Sequence, residues 1–121
     1  MEKIANPSSM PPTPPPNPSV NISSTPYGYR LPEINTLQHA AKLSIIEDKP
    51  IMFDYWTHSL DKTALIGVKE NEEKLLVKSE EEYTSPIAKI YKVGAEYIIM
   101  TENSIYIVDV KIPTKRISNT I

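Results

Sequence analysis

The chain contains no cysteine, and this absence excludes several kinds of chemistry at once. Disulfide bonds, thiolate metal sites and a cysteine nucleophile all require that residue, and its absence fits an intracellular origin. Glycine is also scarce, because it occurs only as Gly28, Gly67 and Gly94. A glycine-rich loop that cradles phosphate cannot be assembled from so few glycines. We therefore expect no thiol-based site and no nucleotide-binding loop, and no other pattern predicts a cofactor.

Long apolar runs and a strong net charge are missing as well. No apolar run reaches the roughly 18 residues of a membrane-spanning helix, and the opening residues MEKIANPSS hold no signal-peptide core. We therefore expect neither secretion nor a membrane span. Thirteen Lys and Arg residues against fifteen Asp and Glu residues give a formal net charge of −2. Such a chain has no general field that attracts phosphate backbones, so we do not expect nucleic acid as the main partner. We also expect no small-molecule substrate.

Proline, by contrast, is abundant and unevenly distributed. Nine of the twelve prolines lie within residues 1–32, and the segment MPPTPPPNPSV (residues 10–20) can form neither a helix nor a central strand. Residues 1–30 also contain too few large apolar side chains to support a packed core. We predict an extended proline-rich arm over residues 1–31, which in polyproline II geometry would reach roughly 90 Å. The candidate partner-binding residues in this arm are Pro14, Pro15, Pro16, Tyr27, Tyr29 and Arg30.

The arm permits a second interpretation. PPTPPP contains P-x-x-P spacings, which SH3-type and WW-type domains bind as preformed polyproline helices. In that case the protein is a soluble adaptor or ligand protein, and the folded domain only carries the motif. A third interpretation is a passive leader without a function.

Residues 32–49 are predicted to form one helix. Pro32 and Glu33 suit a first turn, and Lys49-Pro50 stops the helix because the residue before proline avoids helical geometry. The apolar residues recur at helical spacing, which predicts a stripe that packs on the core. The members of this stripe are Ile34, Leu37, Ala40, Ala41, Leu43 and Ile45.

Residues 50–118 show the patterns of short strands. Six segments alternate or are apolar on both faces, and the turn sequences NEE, GA and EN separate several of them. The six are IMFDYW, TALIGVKE, KLLVKSEE, PIAKIYKV, EYIIMT and SIYIVDVKI. In the last one the even-numbered residues, such as Val108, are expected to face the core, and the odd-numbered ones, such as Asp109, to face away. The predicted fold is mainly β: a small antiparallel barrel or sandwich of about six strands in meander order, capped by the N-terminal helix.

Two polar clusters contain the residue types of catalytic or metal sites. Asp54, His58 and Asp61 lie close together in the sequence DYWTHSLD, near the hydroxyl groups of Thr57 and Ser59. Nothing in this stretch fixes a nucleophile and its base in one rigid geometry, so a strand end and a polar turn are the preferred interpretation. Two groups of glutamates, Glu70, Glu72 and Glu73 and then Glu80, Glu81 and Glu82, lack the alternating ligands of a calcium loop. We therefore predict no catalytic residue and no metal site, and a protein that is not an enzyme.

The β region resembles a group of viral proteins. The stretch EEYTSPIAKIYKVGAEYIIMTENSIYIV, with YW and EKLLVKS before it and KIPTKRIS after it, is similar to short virion-associated proteins of large double-stranded DNA viruses of algae and amoebae. The similarity covers about residues 50–118 and leaves the arm out. It carries over no catalytic residue.

The resemblance implies that the protein belongs to a viral capsid. Large icosahedral capsids contain a major shell protein and minor proteins that cement neighbouring units. The resemblance therefore implies a minor capsid protein that bridges major capsid units through its extended arm. The expected partners are the major capsid protein and other minor capsid proteins. The expected location is the virion, and the host cytoplasm during assembly.

Overall fold

The computed structural model describes residues 29–118, and this range contains two helices and seven strands. The chain divides into two units, Met1–Leu31 and Pro32–Ile121, and the described secondary structure lies in the second. The helices are α1 (Ile34–Glu47) and α2 (Trp56–Leu60). The strands are β1 (Ile51–Met52), β2 (Leu65–Val68), β3 (Lys74–Val77), β4 (Ile87–Val93), β5 (Glu96–Thr101), β6 (Ile105–Asp109) and β7 (Thr114–Arg116). The prediction of a small, mainly β fold with an N-terminal helix is confirmed.

Helix α1 lies inside the predicted range of residues 32–49. It ends at Glu47, and Asp48 follows in the left-handed region with φ 56°. The backbone N–H groups of Asp48 and Lys49 both donate to the carbonyl of Ser44, which satisfies one of the last free helix carbonyls. The predicted stop before Pro50 is therefore correct, and a left-handed cap closes the helix.

The face that α1 turns to the core differs from the predicted one. Thr36 and Ala40 are fully buried, and Leu37 and Leu43 pack beside Ala40. Three residues of the predicted stripe, Ile34, Ala41 and Ile45, are exposed instead. The small side chains at 36 and 40 explain the difference, because they let the helix backbone approach the sheet closely, whereas two isoleucines would hold it away.

The larger sheet has four strands in the order β1-β6-β5-β4. β4, β5 and β6 form two antiparallel hairpins, as predicted from the turns GA and EN. Gly94 adopts a φ of 59° in the first of these turns, where a residue without a side chain is favoured. The fourth strand, β1, pairs in parallel with β6, so Ile51 lies opposite Ile105.

The smaller sheet has three strands in the order β3-β2-β7. β2 and β3 form the predicted antiparallel hairpin. β7 runs parallel to β2, and the carbonyl of Pro113 accepts the N–H of Ile66 at 2.8 Å. Because all three residues of β7 are exposed, this strand has no apolar alternation that a sequence pattern could show.

The meander order and the purely antiparallel pairing are therefore wrong, whereas the predicted count of about six strands is close to the seven found in residues 29–118. The two parallel pairs join distant parts of the chain, and seven strands are divided between two sheets. The segment IMFDYW is also not one strand, because β1 ends at Met52 and α2 begins at Trp56. The five residues of α2 form a second, short helix at this point, in addition to the predicted N-terminal helix.

The core consists of two apolar clusters on opposite faces of the four-stranded sheet. One contains Ile99 and Val108 together with Ile66 and Leu76 of the smaller sheet. The other contains the remaining inward residues of the larger sheet and residues of both helices: Ala40, Trp56, Ile98, Met100, Ile105 and Ile107. The four-stranded sheet therefore lies between the helices and the three-stranded sheet.

This arrangement overturns the expected one-sided burial of the last long strand. Ile107 and Val108 are both fully buried, and only 8% of Asp109 is exposed. The expectation that the odd-numbered face of β6 points away from the core is wrong, because α1 and α2 cover that face. A strand buried on both faces is apolar at consecutive positions, as IYIV is.

Candidate interaction surface

Most of the predicted partner-binding residues lie outside the described part of the chain. Pro14, Pro15, Pro16 and Tyr27 belong to this group, so their role stays a prediction. Tyr29 and Arg30 are described, and both are partly buried in backbone without regular secondary structure. The guanidinium of Arg30 donates from Nη1 to the carbonyl of Leu31 at 3.4 Å.

The first candidate surface is the outer face of α1, which we define as Ile34, Ala41 and Ile45. These positions are separated by seven and four residues, so they lie along one side of the helix. Ile34 is 70% exposed and Ile45 is 81% exposed. The two isoleucines point to the same side of α1, three turns apart, and this side is the first candidate for a contact with another protein.

The start of α1 is held by a buried carboxylate. Glu96, at the beginning of β5, is fully buried, and its two oxygens accept the backbone N–H of Glu33 at 3.1 and 3.2 Å. Glu33 is the N-cap residue of α1 and has no side-chain cap of its own. A negative charge at this end of a helix is also favoured by the helix dipole. The contact joins residues 63 positions apart, and sequence reasoning missed it because no local pattern marks it.

The residues of the sequence DYWTHSLD do not form a nucleophile and base pair. The Nδ1 atom of His58 lies 3.2 Å from Oγ1 of Thr63. Ser59 is fully buried, where its hydroxyl donates to the carbonyl of Trp56 at 2.6 Å and accepts the N–H of Asp109 at 2.9 Å. Ser59 therefore joins α2 to the end of β6, which is a structural role.

An aromatic cluster lies beside this segment. The rings of Tyr55 and Tyr106 meet edge to face with centroids 5.5 Å apart, and the ammonium of Lys78 lies 4.6 Å from the Tyr55 centroid. Lys78 is also 3.8 Å from a carboxylate oxygen of Asp54. Burial, followed by the negative charge of Asp54, raises the pKa of Tyr55 far above its ordinary value of 10.0. Burial raises the pKa of Tyr106 as well.

The raised pKa of Tyr55 predicts a loss of stability in alkali. Below pH 10.0 the hydroxyl is protonated in both states, and above it the unfolded chain loses the proton while the folded chain keeps it. The free energy of unfolding should therefore fall by up to about 1.4 kcal/mol per pH unit in that range. Urea denaturation between about pH 8 and pH 11 measures this slope.

Two phenylalanine variants test the assignment. Tyr55→Phe should reduce the alkaline slope, because its ring remains and its titrating group is gone. Tyr83→Phe is the matched control, since Tyr83 is 46% exposed. Equal slopes in the wild type and Tyr55→Phe would contradict the prediction.

Among residues 29–118, no cluster of three or more His, Asp or Glu side chains could hold a metal ion. Two of the glutamates near the β2–β3 turn have cationic partners instead. Glu72 lies 2.9 Å from Arg116, and Glu73 lies 4.0 Å from Lys69. In the same range no helix is both long and apolar enough to cross a membrane.

Comparison with known proteins identifies no relative: no family model, no curated protein and no solved structure matches the chain.

Proposed function

We propose that the protein is a non-enzymatic structural protein that joins other proteins, and specifically a minor capsid component that cements major capsid units. The capsid setting rests on the sequence resemblance of residues 50–118. The extended state of the arm, residues 1–31, belongs to the same proposal. The arm runs along neighbouring subunits, and its prolines lower the entropy lost on binding because their φ angles are already fixed.

The observation that supports this proposal best is the outer face of α1. Ile34, its first member, is only two positions after Pro32, where the second unit begins. The proposed arm and the bare apolar helix face are therefore consecutive in the chain. We propose that both contact the major capsid protein, the arm through many small burials along its length and the helix face through its exposed isoleucines.

The proposal of a non-catalytic role rests on the polar residues near α2. Ser59 is committed to backbone partners, and the ring of His58 is directed to Thr63. A hydrolytic mechanism of the serine type requires that a base reaches the nucleophile, and this contact is not made here.

Retention on purified virions tests the proposed role. Deletion of residues 1–30 should sharply reduce the amount of protein that sediments with virions, and Ile34→Ser/Ile45→Ser should reduce it without unfolding the domain, because both side chains are exposed. Circular dichroism should show that each variant keeps its fold. Unchanged retention of both variants would refute the cementing role.

A matched substitution separates this role from that of an adaptor. Pro11→Ala/Pro14→Ala should have little effect on a tether that binds along its whole length. The same double variant should abolish binding if the arm is a short ligand for a polyproline-reading domain. In that case Tyr27 and Tyr29 should be dispensable.

A further inference from the structure

The outer edge of β4 is the second candidate surface of the domain. β4 is the outermost strand of the four-stranded sheet, and among residues 29–118 its one partner strand is β5. With seven residues it is also the longest strand of that range. An edge strand of this length exposes a row of backbone N–H and C=O groups that can pair with another extended chain.

Two depressions lie along this strand, and together they border all seven of its residues. The first has a volume of about 460 Å³ and lies between α1 and β4, where Leu43, Ile46, Tyr91 and Val93 supply an apolar lining. The second, of about 310 Å³, lies between the β2–β3 turn and Ile87–Ile90. A chain that adds to the edge can therefore place side chains in pockets as well as pair its backbone.

The charges around the edge are mainly positive, although the whole chain has a formal net charge of −2. Four lysines border the two depressions: Lys42, Lys74, Lys89 and Lys92. Within the described range, none of these lysines forms an ion pair with a carboxylate. The two acids of the second depression, Glu72 and Glu73, are already paired with Arg116 and Lys69. A segment with acidic side chains would complement this surface.

The same lysines argue against a second copy of the chain as the occupant. Antiparallel pairing of two β4 strands would place four lysines, Lys89 and Lys92 of each copy, along one strand pair. Like charges on facing strands are destabilising, and lysines on an edge are a common protection against self-pairing.

We propose that the edge of β4 and its two depressions bind an extended protein segment that carries both acidic and apolar side chains. The segment pairs its backbone with β4 as an additional strand. Its apolar side chains enter the depression beside α1, and its carboxylates meet the unpaired lysines. The inference does not depend on the capsid role, since it rests on the geometry and charge of the domain alone.

Fluorescence anisotropy with the full-length chain tests this proposal. The probe is a fluorescein-labelled peptide of about eight residues that alternates Glu and Val, and it should bind saturably and more weakly at high salt. A Lys–Val peptide reverses the charge, and a Glu–Ser peptide removes the apolar side chains. Both should bind at least about tenfold more weakly. Similar affinity of the three peptides would overturn the proposal.

Two double variants with equal net charge locate the site. Lys89→Glu/Lys92→Glu should weaken binding of the Glu–Val peptide by at least about tenfold. Lys111→Glu/Lys115→Glu alters the same number of charges at exposed positions near the smaller sheet, and it should change affinity by less than about threefold. Equal losses in the two variants would show that only net charge matters, and the site would be refuted.

Two N-methylated versions of the Glu–Val peptide test whether its backbone pairs with β4. An extended peptide offers its N–H groups alternately to its two edges, so methylation of every second nitrogen blocks one edge only. One methylation frame should abolish binding and the other should leave it intact. Equal binding of both frames would refute strand addition.

Other occupants give distinct results. A concentration-dependent dimer with shifted β4 amide signals would assign the edge to a second copy. Preference for a peptide of residues 10–20, MPPTPPPNPSV, over the Glu–Val peptide would assign it to the arm. Either result would overturn the proposal.

Discussion

Replacement of either Val108 or Ile107 by aspartate should unfold the domain. The two residues are adjacent in β6, are fully buried, and belong to the two different apolar clusters. An aspartate at either position would place a charge without a partner in an apolar interior. The expected cost is about 5 kcal/mol or more, comparable with the total stability of about 5–10 kcal/mol expected for a domain of this size.

Thermal unfolding followed by circular dichroism measures this effect, and Ile90→Asp is the matched control. Ile90 is also a strand isoleucine, but it is 40% exposed at the sheet edge. Its replacement should cost about 1 kcal/mol or less. If Ile107→Asp were as mild as the control, the layer of helices over the odd-numbered face of β6 would be wrong.

The sequence predicts well those features of the fold that depend on neighbouring residues. The bounds of α1 follow from Pro32 at one end and Lys49-Pro50 at the other. The three hairpins follow from apolar segments that flank short polar or glycine-containing turns. In each of these features, the residues that form backbone hydrogen bonds with one another are within about 15 positions in the sequence.

The parallel pairs could not be predicted in this way. β1 and β6 are separated by about 50 residues, and β2 and β7 by a similar distance. β1 has two residues and β7 has three, so neither shows an alternation of its own. Both pairs exist because antiparallel hairpins elsewhere leave sheet edges that these short segments can complete.

The outer face of α1 could not be identified as a surface from the sequence alone. The helix carries two apolar stripes, one with Leu37, Ala40 and Leu43 and the other with Ile34, Ala41 and Ile45. Hydrophobic periodicity does not distinguish these two stripes, because each holds two large aliphatic side chains and one alanine. In the structure Ala40 is buried with Leu37 and Leu43 packed beside it, whereas Ile34 and Ile45 are exposed. The exposed stripe is the one that we propose as a contact for partners.

Replacement of Glu96 by alanine should cost about 3 kcal/mol and loosen α1 selectively. The carboxylate accepts the N–H of Glu33 with both oxygens, and its removal leaves that donor without its partner and opens a cavity between helix and sheet.

Hydrogen exchange distinguishes this local effect from a general loss of stability. In Glu96→Ala the amides of α1 should exchange much faster than those of β5 and β6, because opening of the helix no longer breaks the contact to Glu96. Glu96→Gln retains one acceptor oxygen and should lose about half as much stability. Glu102→Ala, an exposed glutamate in the β5–β6 turn, should change it by less than about 0.5 kcal/mol. If Glu96→Ala were as mild as Glu102→Ala, the contact of Glu96 with Glu33 would contribute nothing to the stability of α1, and the helix would be held by the apolar contacts of Ala40 and Leu37.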